Sequence, residues 1–288
     1  MLRALLLALV ATSASPASLQ RPGAPAVRRI GSLPQATAKA SAVALPDGRL
    51  MVLGGYAGGS SIDTVLMGTP ERLRVVGRLP APTHDAAAAL LGSSVYLFGG
   101  GQVTSANTVS RVSLSGAARS AGHLEEPLSD LGAAVVGGRA YLVGGYTGTL
   151  FATAVLRYDG GGRTTTVARL PAGTRYAGVA ALGGSIVVAG GITTAGTSSA
   201  VYVVDPRSGR VRREATLPAP EAHAGMAALG GALYLVGGRD ILRISGRSIT
   251  LAARLPVSLS DAAVVASGGR ILIVGGGTSG VYAFTPRG

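Results

Sequence analysis

Asp85, Asp130 and Asp261 share one sequence address: each lies 14 residues before a Gly-Gly pair, beginning at Gly99, Gly144 and Gly275. The same count back from the other pairs, at Gly54, Gly190 and Gly237, reaches Ala40, Tyr176 and His223. One position earlier stand Lys39, His84, Ser129, Arg175, Ala222 and Ser260; just after the pairs come Tyr56, Gly101, Tyr146, Ile192, Arg239 and Gly277. Carboxylates, imidazoles, an ammonium and guanidinium groups at one level could hold a polar ligand or exchange protons with it. Tyr56 and Tyr146 could stack on a sugar or a peptide. Each residue also has a purely structural explanation. An aspartate at a repeated turn can accept backbone N–H groups, and Lys39, Arg175 and Arg239 can be solvated rim charges. The two tyrosines can pack on neighbouring loops, and His223 can be a hydrogen-bonded channel residue.

Sharper signatures are missing. Gly275–Gly280 reads G-x-G-x-x-G, but the strand-like VYAF follows where a dinucleotide site needs a helix. No Walker, H-E-x-x-H, EF-hand or G-x-S-x-G motif occurs. The chain has three histidines and no cysteine, so neither a metal centre nor a cofactor is expected. The catalytic residues, if there are any, are unassigned by motif.

The formal net charge is +13, carried by 26 cationic residues of which only Lys39 is a lysine. The arginines are scattered, with few aromatics among them, whereas a nucleic-acid binder concentrates charge on one face. No nucleic-acid partner is expected. Residues 1–16 have one charge, an apolar run and then small residues, the pattern of a secretory signal. Residues 17–26 read as a flexible leader, and no later stretch is long and apolar enough to span a bilayer. The expectation is an exported monomer without disulfides, in the extracellular or cell-envelope space.

The elements that must position the polar residues form a repeat. The glycine pairs recur at intervals of 45, 45, 46, 47 and 38 residues, and Leu33, Leu79, Leu124, Leu170, Leu217 and Leu255 keep step ahead of them. Each unit holds a small apolar strand (AAAAL, GVAAL), a tight Gly turn, a bulkier strand (SVYLF, RAYLV), a loop and two further strands. A period in the forties with four strands predicts an all-β, six-bladed β-propeller of four-stranded blades over residues 27–288. The sixth unit runs out after its third strand, so VRRIGSLP, Val27 to Pro34, should return as its outermost strand and close the ring.

The unit resembles the kelch repeat through its glycine pairs and the preceding Tyr96, Tyr141 and Tyr234. The Trp usual downstream in kelch units is absent, and Tyr158 and Tyr202 are the candidates for the accompanying Tyr. The resemblance implies a ligand face where the loops after the second strands meet the connections into the innermost ones. That face would carry Lys39, Tyr56, His84, Asp85, Asp130, Tyr146, Arg175, Tyr176, His223, Arg239 and Asp261. The leading expectation is a binding module for a glycan, a peptide or a protein. One alternative, by resemblance to six-bladed sialic acid mutarotases, is a sugar-acting enzyme using Glu221, His223, Asp261 and Arg175. Another is attachment of a basic shell to anionic envelope polymers. Kelch-type copper radical oxidases need a Cys–Tyr cross-link, which zero Cys excludes.

Overall fold

The computed structural model describes residues 27–286; the segments read as signal and leader, 1–16 and 17–26, lie outside the described residues. The described chain is all strand and turn, and no helix in it is long and apolar enough to cross a membrane. Six antiparallel blades follow one another in sequence order. Blade 1 is Ser41–Ala44, Leu50–Leu53, Thr64–Thr69 and Arg72–Arg78, from the axis outward. Blades 2, 3 and 4 repeat this pattern with innermost strands Ala87–Leu91, Gly132–Val136 and Gly178–Leu182. In blade 5 the 14-residue strand Ala232–Ser245 supplies both middle rungs. Its start pairs with Gly225–Leu229 and its end with Ser248–Leu259. Blade 6 joins Ala262–Ser267, Arg270–Gly275 and Thr278–Phe284 to the N-terminal strand Val27–Thr37.

Closure is therefore made by the N-terminal strand: Val27 pairs with Phe284, Arg29 with Tyr282 and Gly31 with Val281. The innermost strands touch in cyclic order around the axis. Their small residues are required there. A Cβ on Gly132 would run into Val179 of the next blade, and one on Gly225 into Val264. All six marker leucines are buried, none more than 5% exposed. Between blades the bulkier second strands pack face to face, as where Leu53 and Met51 meet Val95 and Leu97.

The glycine pairs have a specific task. The second glycine's N–H donates to a carbonyl of the next blade's incoming connection: Gly55 to Thr83, Gly100 to Leu128, Gly145 to Thr174 and Gly191 to Glu221. The first glycine lies so close to that same carbonyl that any Cβ would overlap it, at Gly54, Gly99, Gly144 and Gly190. Both glycines have positive φ. The repeat's most regular sequence mark is thus its blade-to-blade joint.

Candidate functional site

One residue of each blade, one or two positions before the innermost strand starts pairing, has φ of 54–58°: Lys39, Asp85, Asp130, Tyr176, His223 and Asp261. Side-chain-bearing residues seldom enter this left-handed region, and a Tyr there is a clear outlier. They are held by a closed circle of backbone hydrogen bonds. Each N–H donates to the carbonyl of its counterpart in the preceding blade, at 2.8–3.0 Å, and Lys39 donates to Asp261 to complete the ring. The circle fixes six side chains around the mouth of the axial channel.

The 14-residue count misplaces one blade. It puts Ala40 level with Asp85 and Lys39 one step earlier, whereas Lys39 itself occupies the ring. The cause is the first hairpin, whose turn spans Leu45–Arg49 instead of the two-residue connection between Leu91 and Ser94. Ala38, not Lys39, is therefore the partner of Tyr56, as His84 is of Gly101, Ser129 of Tyr146 and Arg175 of Ile192.

Two connected spaces open at the ring. The ring side chains and the residues following them, Ala40, Ala86, Leu131, Ala177, Ala224 and Ala262, enclose an axial well of about 120 Å³. Beside it lies a chamber of about 300 Å³ over blades 2 to 4. Lys39, Asp85, Asp130 and Tyr176 form its axial wall, while His84, Gln102, Thr104, Ser105, Ser129, Tyr146 and Arg175 complete it. Two other cavities, of about 240 and 290 Å³, occupy matching positions in blades 2 and 3. They repeat with the scaffold and are gaps of the fold.

The charges at the mouth are paired. Lys39 Nζ donates to Asp85 Oδ2 at 2.8 Å and reaches across the axis to the Tyr176 hydroxyl at 3.5 Å. Arg175 Nη2 lies 2.8 Å from Asp130 Oδ2 and donates to the Tyr176 hydroxyl at 2.9 Å. The Arg175–Asp130 approach is out of line for a hydrogen bond, so Asp130 Oδ2 and Arg175 Nε are buried without hydrogen-bond partners among the described residues. His223 Nδ1 lies 2.6 Å from Asp261 Oδ1, whose other oxygen accepts from Ser260 at 2.8 Å. The three aspartates thus face side chains, unlike the backbone-capping alternative, and the turn is made by the backbone itself.

Burial, reinforced by the carboxylates of Asp130 and Asp261, pushes Asp85 up to about 7 against the pull of Lys39. Burial opposes the charge on Lys39, but the Asp85 hydrogen bond and the surrounding acids outweigh it and hold the ammonium above its ordinary range. Tyr176 is pushed up to about 12 by burial and by Asp85 and Asp130. His84 is lowered by burial and by Lys39, which keeps its imidazole neutral; Nδ1 sits 2.8 Å from the Ser61 hydroxyl.

The remaining expected site residues are placed as follows. Tyr146 lies under the Arg175 guanidinium, 4.8 Å from the ring centre, and edge-on to Phe151. Tyr56, 40% exposed, bonds Gly59 of its own loop and meets His84 edge-on. Tyr176 stacks on His223 with centroids 3.9 Å apart. Arg239 is turned to the carbonyls of Leu255 and Pro256 and lines neither space. Glu221 stands behind the ring, against Gly237, and burial raises its pKa. Gln102, Thr104, Ser105 and Phe151 went unnoticed in the sequence because they sit in loops of different length. Ser105 bonds Ser129 at 2.9 Å, a contact between two blades that the repeat register does not record.

Six blades, the double-glycine joint and N-terminal closure define a kelch-type β-propeller. No family model matches the chain, and no curated protein matches it. Among solved structures, YjhT superposes with a TM-score of 0.72 at 16% identity, over 89% of this chain and 95% of that one. At that identity the likeness carries the fold alone. The fold itself selects no activity.

Proposed function

We propose that the protein is an exported binding module that takes an uncharged, hydroxyl-rich glycan in the chamber beside the axial ring. The observation that carries this reading is broken symmetry at a symmetric place. Glycine pairs, marker leucines and small innermost residues repeat, yet the six ring residues are Lys, Asp, Asp, Tyr, His and Asp. Ligands use such positions on a rigid frame. The chamber offers amide and hydroxyl groups from Gln102, Thr104, Ser105, Ser129 and Tyr176. Its cations, Lys39 and Arg175, each already face a carboxylate oxygen at 2.8 Å, which favours a neutral ligand over an anionic one. The signal-like leader supports export.

Calorimetric titration of the full chain with neutral oligosaccharides tests this reading. Saturable binding that weakens at least about tenfold in Arg175→Ala and Asp130→Asn is expected, a loss typical of removing a charged hydrogen-bonding group. Binding of peptides alone, or of sugars unaffected by both substitutions, contradicts it.

A second reading is favoured by one observation: Asp85, pushed up to about 7 by burial, pairs with the Lys39 ammonium and lines the same axial well as the His223–Asp261 pair. Groups so tuned suit acid–base opening of a sugar ring. Accelerated anomer exchange by NMR, lost in Asp85→Asn and His223→Ala, would establish an enzyme; no acceleration on any sugar leaves the binding module.

A further inference from the structure

The mouth is not where the protein's charge resides. The six outermost strands carry eleven arginines: Arg28 and Arg29, Arg72, Arg74 and Arg78, Arg119, Arg163 and Arg169, Arg212 and Arg213, and Arg254. All eleven are exposed. Against them these strands hold a single acid, Glu214. Three of the arginines have carboxylate partners, Arg78 with Asp63, Arg212 with Glu214 and Arg254 with Asp240. The others have none within ion-pair distance among the described residues. The densest part spans the neighbouring outermost strands of blades 6 and 1, where Gly31 abuts Pro70 and Glu71.

We propose that this arginine rim is a second binding surface, for an acidic polysaccharide, separate from the channel mouth. Arginine is the side chain suited to it, because its planar fork meets carboxylate and sulfate oxygens in pairs and stays charged at every relevant pH. The pattern argues against single-stranded nucleic acid: none of the six outermost strands contains Phe, Tyr or Trp, so no platform for stacking bases lies among the charges. A rim that runs around the molecule also fits a flexible, extended polyanion better than a compact one. Charges spaced two residues apart on one strand, such as Arg72 and Arg74, stand roughly 7 Å apart on the same face, so successive arginines can engage successive anionic groups.

The test is binding of the full chain to polygalacturonate, with dextran, duplex DNA and anionic lipid vesicles as the other arms, at low and moderate salt. Polygalacturonate should be bound, dextran not at the rim, and affinity should fall steeply between 50 and 500 mM salt, on the order of tenfold or more. The combined change Arg28→Ser, Arg29→Ser, Arg72→Ser and Arg74→Ser should weaken it at least tenfold. The same four positions changed to Lys should bind more weakly than the parent but better than the Ser variant, since the charge is kept and the paired fork is lost. Arg175→Ala at the mouth should leave rim binding unchanged. Tighter binding to DNA or to vesicles than to the polyuronate, indifference to salt, or equal loss in Arg175→Ala would overturn the proposal.

Discussion

Asp85 is a carboxyl group kept where its charge is poorly tolerated, and the direction of its shift has a measurable consequence. Its value is about 7 in the fold against 3.8 ordinarily. Between those values the native state holds more protons than the unfolded chain, so this group makes stability fall as pH rises from about 4 to about 7. Urea midpoints measured across that range should show the fall, and Asp85→Asn should flatten it; an unchanged slope in the variant would assign the titration elsewhere. The glycines are specific in another way. Gly99→Ala places a Cβ on the Leu128 carbonyl and should lose about 3 kcal/mol or more, the range of severe single substitutions. Gly137→Ala, with positive φ but open space around it, should lose only about 1–2 kcal/mol. Equal losses in thermal or chemical melts would mean that close approach is not what the pair supplies.

At the scale of the element, the loops after the second strands decide the shape of the mouth. In blade 3 this loop brings Tyr146 and Phe151 to the Arg175 guanidinium of blade 4, at 4.8 and 5.5 Å. Phe151→Ala should therefore weaken ligand binding several-fold while reducing stability by only about 1 kcal/mol, the size of one cation–π contact. A loss of the cooperative melt instead would make Phe151 a scaffold residue. Blade 5 has no such loop, which leaves Arg239 beside the outermost strand of its own blade. The 38-residue interval between the last two glycine pairs already carried that information. What the sequence made legible was whatever geometry repeats: blade number, joint glycines, buried leucines and closure by Val27 to Pro34. The candidate site was legible only as a level in the repeat, with Lys39 one step out because the first hairpin turn is longer. The pairing of Arg175 with Asp130, and the place of Phe151 and Ser105, depend on loops converging from separate blades. No periodicity records that.

For the whole molecule, two closures hold the ring. One is the N-terminal strand in blade 6, which also buries Leu33 among Leu50, Val52 and Val274. The other is the circle of six backbone hydrogen bonds at the mouth, which holds six residues in a conformation that costs about 1–2 kcal/mol for each. Rigid closure is what allows such strain to persist. Deleting residues 27–34 opens a strand edge and the core below it, and should lower the melting temperature by roughly 10 °C or more. A shift within a degree or two would show that the ring closes without that strand. The arginines on the outermost strands serve the molecule here too, since charged side chains on exposed edges discourage strand pairing between copies.

In the proposed function the asymmetric mouth, and not the symmetric frame, receives the ligand. The most direct measurement is an NMR titration of the isotopically labelled full chain with the neutral oligosaccharide that binds best in calorimetry. Saturable shifts confined to the amides of residues 101–105, 129–130, 146 and 175–176 are expected, with the midpoint moved at least about tenfold to higher sugar concentration in Arg175→Ala. Shifts confined to the outermost strands, or mouth amides that stay still while the sugar binds, would contradict it.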